Sequence, residues 1–306
     1  MGVFHIAAFY RFADLPDFEG FRDRLVALGA EFDVKGTVLL APEGVNGTIA
    51  GAKEDVEVFL ELLRSDSRLA GLEAKWSTAN EDPFLRLKVR LKKEIVTLRV
   101  GDVDSINNTA THVPAAEWNE LISDPDTIVI DTRNDYEHAI GTFANAVNPE
   151  TRRFGEFPEW IENQPDIRDK KLAMFCTGGI RCEKGTAFLR EQGFEEVYQL
   201  EGGVLKYLET VDAEDSLWDG ECYVFDRRVS VGHGLVPGDL EICPNCNRVL
   251  GDEDRARTSY RTGVHCSSCH DTITEDRRVR FAERQRQIEL AEQRGSSHLG
   301  QAMWPT

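Results

Sequence analysis

Hydrophobic and polar positions repeat with two periods along the first third of the chain, and the switches between them mark its elements. Residues 3–12 and 34–41 read as strands. Residues 18–28 follow the helical period, with Phe18, Phe21, Leu25 and Leu28 on one face and Gly29 placed to end the helix. Pro42-Glu43-Gly44-Val45-Asn46-Gly47 has the residues of a reversal, and 48–50 returns as a strand. A second helix over 52–63 places Val56, Phe59, Leu60 and Leu63 on one side, and strands follow at 72–76 and 85–91.

The order βαββαβ predicts a ferredoxin-like or acylphosphatase-like α+β domain over residues 1–100. Residues 101–111 are polar and aperiodic, as a linker would be. From His112 onward, strands alternate with helices to about residue 212, the pattern of a doubly wound parallel sheet. Acidic residues 212, 214, 215, 219 and 221 then open a last segment, 213–306, in which 275–294 reads as a charged helix and 295–306 as a loose tail.

The strand at 85–91 alternates strictly. Leu85, Leu87, Val89 and Leu91 share one face, while Arg86, Lys88, Arg90 and Lys92 share the other, with Lys93 and Arg99 beyond. Such a face is often merely solvated. In a chain of net charge −18 it is also a candidate phosphate-contacting stripe. That net charge argues against broad non-specific nucleic-acid binding, so any RNA contact needs a local basic site of this kind. No run of apolar residues is long enough to span a membrane, and the first residues lack the basic region of a signal peptide, so a cytoplasmic protein is expected.

Seven cysteines carry the chemistry. Cys243-Pro244-Asn245-Cys246 and Cys266-Ser267-Ser268-Cys269, nineteen residues apart, have the spacing of a structural zinc site in a zinc-ribbon-like segment. His265 and His270 flank the second pair as substitute ligands. Cys176 ends the apolar run Leu172-Ala173-Met174-Phe175 and opens Cys176-Thr177-Gly178-Gly179-Ile180-Arg181-Cys182 ahead of a helical pattern. A strand end, a Gly-Gly loop and a helix start form an anion nest from Thr177, Gly178, Gly179 and Ile180, and Arg181 adds a fixed charge. That setting favours a reactive thiolate at Cys176. Cys182 is either a resolving thiol or a buried support, and Cys222 reads as structural. Asp131 and Arg133, just after a strand, read as loop supports rather than catalysts. Four residues separate Cys176 from Arg181, one fewer than in cysteine phosphatases, and the tighter loop suits a persulfide better than a phosphate.

The Cys176 loop, Asp131-Thr132-Arg133 and Leu200-Glu201-Gly202-Gly203-Val204 resemble a rhodanese domain. With Pro42–Gly51, Lys88–Glu94 and the cysteine pairs, essentially the whole chain resembles the bacterial oxygen-dependent tRNA uridine-34 hydroxylase family. That resemblance implies conversion of the wobble uridine to 5-hydroxyuridine, with molecular oxygen as co-substrate, the tRNA anticodon arm as partner and Cys176 essential. The residues themselves show no organic cofactor, and the seven histidines (5, 112, 138, 233, 265, 270, 298) show no two-histidine-one-carboxylate grouping. Cys176 is the one strong reactive centre. On the residues alone a sulfurtransferase carrying a persulfide on Cys176 is favoured, because the loop chemistry is visible and the oxygen chemistry is not, and an adaptor built on the rhodanese and zinc segments stays open. The basic stripe speaks against the first and the Cys176–Arg181 pair against the second.

Overall fold

A computed structural model of the chain describes residues 3–101 and 103–294, so the expected tail at 295–306 lies outside the described residues. The chain forms two compact units, residues 1–238 and 239–306.

The first unit opens with β1 (Phe4–Phe12), α1 (Glu19–Glu31), β2 (Lys35–Ala41), β3 (Gly44–Gly51), α2 (Lys53–Arg64), β4 (Ala74–Ala79) and β5 (Leu87–Leu91). The sheet order is β4-β1-β3-β2-β5, with β5 parallel to β2 and the other pairs antiparallel. The first four positions of that order are the ferredoxin-like ones, and β5 extends them beyond β2 as a further edge strand. Apolar side chains of one sheet face, including Ala7, Phe9, Val38, Leu40, Val45 and Val89, pack with Phe21 and Leu25 of α1 and Phe59, Leu60 and Leu63 of α2.

Gly29 does not end α1 as its type suggested. The helix runs two residues further, and a Cβ at Gly29 would fall 2.2 Å from Leu87 Cδ2. The glycine lets α1 approach β5, and Asp33, at φ 47°, makes the reversal instead. The turn after β2 is also tighter than the glycines implied, with Pro42 and Glu43 alone between the strands.

The second half of this unit runs β6 (Thr111–Val113), α3 (Ala115–Ser123), β7 (Thr127–Asp131), α4 (Asp135–His138), β8 (Gly141–Phe143), α5 (Phe157–Glu162), β9 (Lys171–Phe175), α6 (Ile180–Glu191), β10 (Val197–Leu200) and α7 (Gly203–Thr210). Its sheet, ordered β6-β10-β9-β7, is parallel throughout. β9 is buried on both faces, which is why it reads as a continuous apolar run. Leu172 and Met174 enter one core with Ile130, Cys176 and Cys182. Ala173 and Phe175 enter the other with Trp118, Phe143 and Tyr207.

The segment expected as a linker packs into this half. Ala110 is buried in the Leu172 core, and its N–H donates to Thr186 on α6 (3.3 Å). Residues 213–238, expected to begin the last segment, also belong to the first unit. There β11 (Trp218–Gly220) pairs with β8, and β12 (Cys222–Tyr223) pairs with β13 (Ser230–Val231). Trp218, edge-on to Phe143 at 5.1 Å, is the anchor that ties this segment down.

The second unit holds α8 (Asp252–Ala256), the two cysteine pairs and α9 (Glu275–Gln293). Its buried cluster is Cys243, Leu250, Cys266 and Cys269, with Cys246 and Tyr260 against it. Among the described residues no helix is long and apolar enough to cross a membrane.

Candidate active site

Cys176 follows β9 directly, at the C-terminal end of the parallel sheet, and α6 starts four residues later. Gly179 is the N-cap of α6 at φ 101°, a conformation that turns the chain back over the sulfur and is unstrained only in glycine. Gly203, at φ 68°, supplies the other close approach, since a Cβ there would lie 2.5 Å from the Cys176 carbonyl oxygen. That explains the glycine pair after β10: α7 begins against the backbone of the reactive loop, with Val204 N–H donating to Cys176 O (3.0 Å) and Leu205 N–H to Thr177 O (3.0 Å).

The sulfur is completely buried and accepts a hydrogen bond from Gly179 N–H at 3.1 Å. Burial by itself would push the thiol up. The hydrogen bond with Cys182, the Arg181 charge and the backbone N–H groups of Cys182 and Arg181 outweigh it and bring Cys176 down to about 6. Of the four nest residues read from the sequence, Gly179 therefore donates, and the other donors are Arg181 and Cys182 in the first turn of α6, where N–H groups lack helical partners. Thr177 instead turns its hydroxyl to Glu137 (3.2 Å). Cys182 is buried beside Cys176, its thiol pushed up by burial and by that neighbour. Its sulfur lies 3.6 Å from Thr132 Oγ1. Cys222 is buried among apolar side chains, and burial pushes it up to about 12.

Arg181 makes its strongest contacts away from the sulfur. Both its terminal nitrogens donate to Glu137, at 2.7 and 2.8 Å, and Glu137 has no exposed surface. Burial acts to raise the Glu137 carboxyl, but Arg181 and Arg133 together hold it below the ordinary glutamate value. Asp131 and Arg133 form a second, fully buried pair (2.6 Å). Arg133 also donates to Gly141 O (2.6 Å) and lies over the rings of Trp218 and Phe175. Among the described residues, no hydrogen bond of these two reaches the Cys176 sulfur.

Glu137, Lys184 and Lys75 belong to the site without having been singled out from the sequence. Lys184, one turn into α6 and 1% exposed, reaches Glu43 (2.7 Å), Glu94 (2.6 Å) and Val96 O (3.2 Å). It joins the reactive helix to the turn after β2 and to the segment after β5. Glu183 accepts from Tyr10 of β1 (3.1 Å) and meets His112 Nε2 (3.0 Å).

The open face of the first sheet and the reactive loop enclose a cavity of about 580 Å³. Tyr10, Thr37, Asn46, Thr48 and Lys75 line one side, and Cys176, Thr177, Gly178, Ile180 and Arg181 the other. Phe225, 58% exposed, lines it next to Arg181, with that guanidinium 6.0 Å over its ring.

Residues 4–95 match the family described as the UPF0176 acylphosphatase like domain, and residues 114–210 match the Rhodanese-like domain. The tRNA uridine(34) hydroxylase of Agrobacterium fabrum is 56% identical over 300 residues, covering 98% of this chain and 96% of its own. This chain belongs to the tRNA uridine(34) hydroxylase family. Within that family, the protein of Sinorhizobium medicae is 54% identical and that of Acaryochloris marina 50% identical, each covering 98% of this chain and at least 95% of its own.

Arg86, Lys88, Arg90 and Lys92 are all exposed at the edge strand. Lys88 and Arg90 pair in register with Thr37 and Leu39, which line the cavity, so the basic stripe lies on the cavity face of the sheet. On the opposite face Val89 is buried but Leu91, the last residue of this edge strand, is 40% exposed.

In the second unit, the sulfurs of Cys243, Cys246, Cys266 and Cys269 all lie within 4.8 Å of one another. Three of the separations are 3.6, 3.6 and 3.8 Å. Four thiolates about 2.3 Å from a tetrahedral zinc stand roughly 3.8 Å apart, so the donor set fits that ion. His265 and His270 are not part of the cluster. His265 Nε2 meets Arg278 (2.9 Å), and His270 Nδ1 meets Asp271 (2.9 Å).

Proposed function

We propose that this protein hydroxylates C5 of uridine 34 in tRNA, with molecular oxygen supplying the oxygen atom and Cys176 as the essential thiol. The single observation that carries this reading is the cavity between the open sheet face and the Cys176 loop, in a chain whose full-length relatives bear that name. A small-molecule sulfurtransferase needs a pocket for one anion. This one has the volume of a site for a drug-sized ligand, an exposed aromatic ring at Phe225 on which a base can stack, and a basic strand on the same sheet face. An enzyme acting on a base must take it out of its stack, and stacking on an aromatic side chain is the usual way to hold it.

With its thiol brought down to about 6, Cys176 is mostly thiolate at neutral pH. Arg86, Lys88, Arg90 and Lys92 hold phosphates of the anticodon arm and carry no sequence information. The four cysteines of the second unit hold one structural zinc, a closed site with no open position for chemistry. The cytoplasm, where tRNA and reduced thiols occur together, is the compartment this reading requires.

The test supplies purified protein, unmodified tRNA and a thiol reductant, the source of the two electrons that a monooxygenation consumes, under oxygen-18 gas. Labelled 5-hydroxyuridine at position 34 is the expected product. The Cys176→Ser variant should bind tRNA and form none. A thiolated base, or sulfur transfer with uridine 34 unchanged, would replace this reading with the sulfurtransferase one.

A further inference from the structure

Lys75 sits on β4, an edge strand of the first sheet, half-buried in the cavity wall across from the reactive loop. Its ammonium lies 5.0 Å from the centre of the Tyr10 ring, whose hydroxyl in turn crowds Gly179. Its stem packs across to the other half of the unit, where a Cβ on Gly202 would come 3.4 Å from Lys75 Cε. No carboxylate pairs with it among the described residues. Burial draws the amine below the ordinary lysine value, and the charges that pull it back up are Cys176 first, then Glu183 and Glu73, with Lys206 opposing.

The charges around Cys176 show what this cation does. α6 contributes Arg181, Glu183 and the neutral Cys182, α4 contributes Glu137, and β1 contributes the neutral Tyr10. Arg181 is matched by Glu137 through two hydrogen bonds. Glu183 is held by Tyr10 and His112. A thiolate at Cys176 thus adds a negative charge beside an ion pair that is already neutral. Arg99, Arg153 and Arg228 line the same cavity, Arg228 paired with Asp226, but Lys75 is the cation that packs against the residues bounding the Cys176 loop, through Tyr10 and Gly202, and it has no carboxylate partner among the described residues.

We infer that Lys75, contributed by the first domain, is a positioning residue of the Cys176 site: it balances the thiolate and so makes the reactive centre a joint product of both halves of the unit. A rhodanese-like half alone would lack this charge. The inference rests on the reading of Cys176 as the reactive thiol, and not on the RNA or the oxygen.

The test follows alkylation of Cys176 by iodoacetamide against pH in the full-length protein, by peptide mass spectrometry, with no tRNA present. Wild type should show an inflection near about 6, with Cys222 unlabelled. Lys75→Gln keeps most of the stem's packing and removes the charge. Its inflection should rise, and its rate at pH 5.5 should fall by about 2.5-fold, the consequence of a half-unit shift. Lys75→Arg should restore the wild-type profile. A thermal melt run on each variant separates loss of fold from loss of charge. A folded Gln variant whose profile superimposes on wild type overturns the inference, as does an Arg variant that is folded yet shifted as far as Gln. Because the assay needs neither substrate, these outcomes stand apart from the fate of the hydroxylation reading. If both hold, Lys75→Gln should also lower kcat for 5-hydroxyuridine formation more than it changes KM.

Discussion

Glu137 has no exposed surface and gives both carboxylate oxygens to Arg181, so a Glu137→Gln substitution leaves a buried guanidinium without its counter-charge. Breaking a buried pair from one side costs about 3 kcal/mol or more. Glu137→Gln should therefore lower the melting temperature of the first unit by several degrees at neutral pH. The same change should move the Cys176 inflection below about 6, because the freed Arg181 charge then acts on the thiolate alone. A melt and an alkylation profile check the two halves of this prediction, and an unchanged melt would mean that the pair contributes nothing. The sign in pH follows from Glu137 lying below its ordinary value of 4.5. Its contribution is present above that value and is lost as pH falls through the lower folded value, so the variant and wild type should converge in acid. The sequence made Cys176 and Arg181 legible because loop, glycines and helix start are contiguous. Glu137 stood in a run of polar residues after a strand, and only the parallel sheet brings that strand's end beside the Cys176 loop.

Among the elements, β5 most clearly holds both what a sequence shows and what it conceals. Its alternation was readable, and the four basic side chains are exposed as the period requires. What periodicity could not give is the neighbour: β5 lies parallel to β2, so the basic face continues onto Thr37 and Leu39 of the cavity wall. Replacing Arg86, Lys88, Arg90 and Lys92 together with Ala should weaken tRNA binding and flatten its dependence on salt, each lost phosphate contact removing roughly 0.7 to 0.9 from the slope. Alkylation of Cys176 should be unchanged, since none of the four lines the cavity. Binding titrations at several salt concentrations measure this, and an unaltered slope would make the stripe a solvated edge. Gly29 shows the converse. A glycine after a helical run reads as a cap, whereas here the missing side chain makes room for Leu87, a contact between elements far apart in sequence. Three stretches that seemed separate signatures also meet at one atom, the Lys184 ammonium, which takes Glu43, Glu94 and the reactive helix into one ion cluster.

At the scale of the whole molecule, the two units are stabilised by different means, and that difference can be tested. The first has extensive apolar cores on both sides of its parallel sheet and under its first sheet. Among the described residues the second buries only Leu250, Val264, Ile273 and Ala291 as apolar side chains besides its cysteines. A segment with so small a core needs another source of stability, and the proposed four-thiolate zinc site would supply one, because metal binding and folding would then be a single equilibrium. This part was legible from sequence since its ligands come in two local pairs. The cavity was not, since it needs a sheet and a loop more than a hundred residues apart. Protein purified without chelator should carry about one zinc per chain, as a closed four-ligand site requires. A strong chelator should release it, expose four thiols to a chromogenic disulfide, and open residues 239–294 to trypsin at Arg248, Arg257 and Arg261. Residues 3–238 should stay resistant, and Cys176 should keep its alkylation profile, because its site draws on none of the four cysteines. Native protein that holds no zinc and shows four freely titrating thiols would remove the metal from this account, and with it the reason for residues 239–294 to fold.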